Sequence, residues 1–275
     1  MTCCGRARLI RRKMPRPPVS PRKSRHDMAN WLTGTIIKNR RLNDYLTSLI
    51  IDAPSLPDFE AGQFVRIGLY DGDEVLARPY SLINTPQEPF LEIYFNMVAQ
   101  GPLSPRLFTL APGDEVLVAD NPSGFLTVSE VPACRHLWMI ATGTGIGPFL
   151  AILKNDLVWT KFEKTILCYS VSRADELAYQ DLIVGIGERR GPQFVYTPIV
   201  TREPYPGGLG ERVTTLLRNG DLERFTDTSI NADDSHVLLC GNANMITDIS
   251  EELSNRDMRR HRRRDPGHIT TEKYH

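Results

Sequence analysis

The run HLWMIATGTGIGPFLAIL at 136–153 constrains the fold more than any other stretch: an apolar strand stops at three glycines and a proline, and an apolar helical stretch follows. Further on come TILCYSV, LAYQDLIVGI, FVYTPIV and SHVLLCG, again apolar strands with a helical stretch between them. Alternation of this kind predicts a parallel sheet with crossover helices, because parallel neighbours need a connection long enough to carry the chain back to the same end. Ahead of Glu130 the cadence differs. Short β-rich runs (GTIIKNR, LTSLIID, GQFVRIGL, YSLIN, LEIYFNMV, DEVLVAD) are punctuated by Gly, Pro and Asp, which predicts an all-β barrel or sandwich. The change of pattern sets a boundary between residues 29–130 and residues 131–275, and no internal repeat is present.

A chain of 275 residues has room for two such domains. Its formal charge of zero conceals an asymmetry: residues 1–27 hold nine Lys or Arg against the single acid Asp27, which leaves the remainder net acidic by eight. With prolines among those arginines the arm has almost nothing to bury, so residues 1–28 read as a disordered basic extension. A transit peptide and a start upstream of Met28 are both open readings. Five cysteines without a CxxC pair argue against a disulfide framework, a zinc site or an iron–sulfur cluster, and a reducing, cytoplasmic setting is expected. No run of about 18 apolar residues is present to span a bilayer.

The glycine corner carries the first functional reading. Gly143, Gly145 and Gly147 follow a strand, and Pro148 stands where a helix begins. Glycines allow close approach of a ligand, and a helix start attracts phosphate, so the corner is a candidate pyrophosphate site. The spacing matches neither GxGxxG nor a P-loop, and a packing turn is the alternative. The next strand ends in Ser172 and Arg173, where an NAD-binding fold places an acid about 20 residues beyond the glycines. A hydroxyl and a guanidinium suit a 2′-phosphate, hence NADP, with Arg202 and Arg212 as further members of the cluster. Asp175 and Glu176 keep NAD open.

In the β half, RPYSLIN places Arg78 and Tyr80 on one strand face and Ser81 on the other. Such a set can hold a diphosphate, stack a heterocycle and offer a hydroxyl; a cross-strand aromatic pair beside a surface arginine is the alternative. GPLSPRLF puts Gly101 and Ser104 before a short helix, a second candidate anion site.

GQF at 62–64, RPYS at 78–81, GPLSPRL at 101–107, GTGIGP at 143–148, CGN at 240–242 and the ending RRRDPGHITTEKYH together resemble the bacterial ferredoxin/flavodoxin–NADP reductase family over residues 29–275. That resemblance implies a six-stranded antiparallel barrel holding FAD, followed by an α/β Rossmann-like domain holding NADP(H). It implies FAD contacts from Arg78, Pro79, Tyr80, Ser81, Tyr94, Pro102, Leu103, Ser104, Thr144, Tyr274 and His275. It implies NADP contacts from Gly143, Gly145, Ser172, Arg173, Thr201, Arg202, Arg212, Gly241 and Asn242. Ser81, Cys240 and Glu272 take the catalytic positions, and no metal is required. Close bacterial relatives end in Tyr-Trp where this chain ends Tyr274-His275, so the cover over the adenine differs.

The implied activity is hydride exchange between NADPH and FAD, with single electrons passing to ferredoxin or flavodoxin. For acidic carriers to dock on a net-acidic body, a local basic patch is needed; Lys38, Arg40, Arg41, Arg66, Arg106 and the run Arg259–Arg264 are the candidates. That run lacks the interleaved aromatics of a nucleic-acid site, and a monomer without a membrane or nucleic-acid partner is expected. An NADH-dependent flavin or oxygenase reductase of the same superfamily and a non-enzymatic dinucleotide sensor are the rival functions.

Overall fold

A computed structural model describes Met1, residues 30–54, Leu56 and residues 59–274. The basic extension after Met1 and His275 lie outside the described residues.

Six strands form the first sheet: β1 (Trp31–Arg41), β2 (Leu46–Asp52), β3 (Phe64–Asp71), β4 (Glu74–Ser81), β5 (Leu91–Asn96) and β6 (Glu115–Ala119). They run in the order β4-β3-β6-β1-β2-β5, every assigned pair antiparallel. An antiparallel bridge from Leu82 to Ile93 joins the two edge strands and closes the sheet on itself, removing the exposed edges an open sheet would leave. Alternate side chains fill the interior: Ile36, Leu49, Ile51, Val65, Ile67, Ile93 and Val118 are all buried. YSLIN is not a strand of its own; β4 ends at Ser81, and its start lies upstream at Glu74. A short helix, α1 (Ser104–Phe108), stands between β5 and β6.

The second sheet is wholly parallel, in the order β11-β10-β7-β8-β9. Its strands are β7 (His136–Thr142), β8 (Lys164–Val171), β9 (Phe194–Val200), β10 (Ser235–Gly241) and β11 (Ile269–Lys273). Helices α2 (Gly147–Lys154), α3 (Asp156–Lys161) and α4 (Gln180–Arg190) belong to one side. Helices α5 (Val213–Arg218), α6 (Asp221–Thr226) and α7 (Ala243–Ser254) belong to the other. Two details depart from the sequence reading. PFLAILKNDL breaks into α2 and α3 at Asn155, whose side chain accepts the Leu157 N–H and so caps the second helix. The tail, where the sequence reading places no strand, adds an edge strand paired in register along β10.

One apolar cluster runs from Leu46, Ile83, Tyr94 and Leu126 of the barrel into Leu150, Leu167, Ile183 and Leu238 of the parallel sheet, so the halves share a core. A buried carboxylate fastens the seam. Glu92 Oε1 accepts the Ser48 hydroxyl at 2.5 Å and the Tyr179 hydroxyl at 2.8 Å. Tyr179 enters that position with φ of 58°, a conformation bulky residues rarely adopt. Beside it, Lys154 Nζ donates to Glu88 across the same seam at 2.7 Å.

Candidate active site

The strand order reverses between β7 and β10: β8 and β9 lie to one side of β7, β10 and β11 to the other. Loops leaving the carboxyl ends of β7 and β10 therefore diverge and open a crevice. The glycine corner occupies it. Gly143 to Ile146 form a single 3₁₀ turn and α2 begins at Gly147, one residue earlier than the proline suggests. Gly143 has φ of 54° with open space where a side chain would stand. At Gly145 a β-carbon would lie 2.4 Å from the Cys240 carbonyl oxygen, so only glycine fits there. Asn242 caps α7, its Oδ1 accepting the Asn244 N–H at 2.9 Å, while its own N–H goes to Thr142 Oγ1 at 2.9 Å.

A cavity of ≈ 420 Å³ spreads from this corner across the ends of β7, β8 and β9, lined among others by Gly143, Ser172, Thr201, Arg212 and Asn242. The three arginines expected there are not gathered. Arg212 lines the cavity; Arg173 is turned into an ion pair with Glu203 at 3.6 Å, and Arg202 is exposed outside the lining. Two carboxylates, Glu176 and Asp248, line it as well. Of these the sequence pointed to Glu176 and missed Asp248, although its place one helical turn after Asn244 on α7 is the signal that would have found it.

On the barrel side, Arg78 and Pro79 are exposed and Tyr80 is half-buried, its ring edge-on to Phe95 with centroids 5.4 Å apart. Burial raises the Tyr80 hydroxyl to about 12, so it stays protonated. Tyr94 is placed in the seam, 5% exposed, with its ring edge-on to Tyr179 at 5.6 Å. Pro102 is exposed and Leu103 is buried. Ser104 does not precede its helix: it is the first residue of α1, Leu103 stands at the cap, and Ser104 Oγ accepts the Val98 N–H at 3.0 Å to close the loop after β5.

The two halves converge on Ser81. A β-carbon on Gly147 would stand 3.7 Å from Ser81 Cβ and 3.9 Å from the Tyr274 hydroxyl, so the glycine corner, the barrel strand and the tail meet at one point. Ser81 Oγ is 2.9 Å from the Tyr274 hydroxyl and 3.2 Å from Glu272 Oε1. Cys240 pairs in register with Glu272 across β10 and β11, and Tyr274 N–H donates to the Gly241 carbonyl at 3.2 Å. Burial, reinforced by Glu272, holds the Cys240 thiol far above its ordinary range, so it is a neutral packing and positioning group, not a thiolate. A second cavity, of ≈ 520 Å³ and lined by Gln63, Phe64, Phe125, Arg263 and Glu272, opens the seam on the barrel side.

Burial raises the Glu272 carboxyl from 4.5 to about 7, partly offset by the Ser81 hydrogen bond. A carboxyl whose folded value exceeds its unfolded value favours folding fully below the unfolded value and loses that contribution as pH rises through the folded one. Stability should therefore decline between pH 4.5 and 7 by an amount that Glu272→Gln removes. Urea midpoints of both proteins across that window measure it; parallel curves contradict the assignment.

A family model described as an oxidoreductase NAD-binding domain matches residues 139–251. The flavodoxin/ferredoxin–NADP reductase of Escherichia coli K12 is 42% identical over 248 residues, covering 90% of this chain and all of that protein. The chain belongs to the flavodoxin/ferredoxin–NADP reductase family. The ferredoxin–NADP reductase of Azotobacter vinelandii is 35% identical, over 82% of this chain and 90% of its own. A crystal structure of a ferredoxin NADP⁺ reductase from Neisseria gonorrhoeae, with bound FAD and NADP, is 31% identical and superposes with a TM-score of 0.85 over 89% of this reductase and 99% of its own chain.

Among the described residues of this reductase no helix is long and apolar enough to cross a membrane, and no group of three His, Cys, Asp or Glu is placed to hold a metal ion.

Proposed function

We propose that the protein exchanges hydride with NADPH through bound FAD and passes single electrons to ferredoxin or flavodoxin, as a cytoplasmic monomer. The observation that carries this is the meeting of Ser81, Gly147, Glu272 and Tyr274 at one point between a barrel and a nucleotide-type crevice. The residues present fit the two groups. Gly143 leaves open backbone at the switch point, Arg212 supplies a cation in the adjoining cavity, and Tyr80 offers a ring on an accessible strand. In this reading residues 29–130 hold FAD through Arg78, Pro79, Tyr80, Ser81, Tyr94 and the 102–104 segment. Residues 131–275 hold NADP through Gly143, Gly145, Ser172, Thr201, Arg212, Gly241 and Asn242, and the tail returns Glu272 and Tyr274 to the flavin. Arg173 and Arg202 serve from the rim.

FAD, when bound, supplies the redox chemistry, accepting a hydride and releasing electrons one at a time. The chain's own part is positioning. Ser81 fixes a hydroxyl at the meeting point, burial makes Glu272 hold its proton to higher pH than an ordinary carboxyl, and Cys240 and Gly145 set the depth of the crevice. Carrier docking falls to the exposed arginines 260, 262 and 264; Arg263, stacked over Phe125 on the rim of the second cavity, is paired with Glu130. Arg41 and Arg106 are spent locally, on the Phe108 carbonyl and on Asp71.

Anaerobic mixing of the flavin-loaded protein with NADPH should bleach the flavin faster than NADH does, and the reduced protein should then reduce an acidic ferredoxin or flavodoxin at a rate that falls with added salt. Bleaching by NADH alone favours the oxygenase-reductase alternative; a purified protein that takes up no flavin favours the sensor.

A further inference from the structure

In the cavity at the ends of β8 and β9, one guanidinium faces two carboxylates, an unfavourable balance for a phosphate dianion. Glu176 is the more constrained of the two acids. Its Oε1 accepts the Tyr45 hydroxyl at 2.7 Å, a bond that reaches across from the barrel. Its Oε2 accepts the Ser172 N–H at 3.0 Å. The backbone donor at the end of β8 is thereby already satisfied, and the negative charge is pinned from both sides. Arg173, the expected counter-charge, is drawn to Glu203, whose other oxygen takes the Ala174 N–H. Arg212 thus stands without a second guanidinium in the lining, while Asp248 adds negative charge from α7.

We infer that Glu176 is a specificity-determining residue that restrains the preference for a 2′-phosphate, so that the cleft tolerates coenzyme lacking that group. The inference rests on the nucleotide reading of this cleft and names how its selectivity is set. A fixed carboxylate weakens binding of a phosphate in the same cavity while leaving a ribose hydroxyl nearly unaffected. Glu176→Gln keeps an acceptor for the Ser172 N–H and a partner for Tyr45, so the turn is retained and only the charge is lost.

The test is calorimetric titration of the flavin-loaded protein with adenosine 2′,5′-bisphosphate and, separately, with adenosine 5′-monophosphate. Glu176→Gln should tighten the bisphosphate about tenfold and leave the monophosphate within about twofold; tenfold corresponds to about 1.4 kcal/mol. Glu176→Asp, which keeps the charge, should hold the wild-type ratio. Asp248→Asn, on the exposed face of α7, should raise the ratio by a smaller factor, about threefold, and tests the charge argument where folding is not at stake. An unchanged ratio in Glu176→Gln, an equal rise in Glu176→Asp, or no rise in Asp248→Asn overturns the inference while the nucleotide site stands. Failure of the wild-type protein to bind either compound removes the nucleotide reading and the inference together.

Discussion

Ser81→Ala should slow reduction of the bound flavin by NADPH about 100-fold in a single turnover while changing FAD affinity by less than about threefold. The hydroxyl removed is bonded to both Glu272 and Tyr274 at the meeting of the halves, at 3.2 and 2.9 Å. Losing it frees a carboxyl and a phenol whose positions define the crevice, and misplacement on the scale of 1 Å costs about two orders of magnitude in a positioned reaction. Binding of FAD spreads over Arg78, Tyr80 and the loop after β5 in the proposed site, so one hydroxyl contributes little to it. Stopped-flow reduction and flavin release give the two numbers independently. Equal single-turnover rates in variant and wild type would remove Ser81 from the catalytic positions.

The second large effect concerns the backbone. Gly241 closes β10 with φ of 133°, and a β-carbon there would lie 2.2 Å from Thr142 Oγ1, 2.8 Å from Thr142 O and 3.0 Å from Thr142 N. Two of those three neighbours are main-chain atoms of β7, so the clash cannot be relieved by a rotamer change. Thr142 Oγ1 also accepts the Asn242 N–H, which orients the first turn of α7. Gly241→Ala combines a strained φ with a displaced strand end, and each is a recognised source of large destabilisation. A loss of at least about 3 kcal/mol is expected, or a fall of roughly 6–12 °C in Tm for a protein of this size. Thermal unfolding checks it directly. A Tm within about 2 °C of wild type would show that β7 and β10 separate more easily than their pairing implies.

Much of this architecture was legible because it rests on local chemistry. Strand-forming runs, the glycine corner at 143–147 and the RPYS strand each state their geometry within a few residues. The strand reversal that makes the crevice follows from where SHVLLCG pairs, and its pairing beside β7 is a tertiary fact. The destination of each arginine was not legible. Arg173 and Glu203 meet from two loops 30 positions apart, and nothing near either residue announces the partner. The strand in the tail was not legible for a related reason: ITTEK has a polar half with no strand-like alternation, and it becomes β11 because β10 offers it a free edge. Glu92 illustrates the same limit. An acid at the second position of LEIYFN reads as an outward-facing residue, yet it is 7% exposed because Ser48 and Tyr179 are there to satisfy it.

The carboxylate bolt between Ser48, Glu92 and Tyr179, set in an apolar cluster common to both halves, also bears on turnover. A swing of one half against the other would have to break both hydrogen bonds to the buried Glu92 carboxyl and open the shared apolar cluster, which disfavours such a motion during turnover.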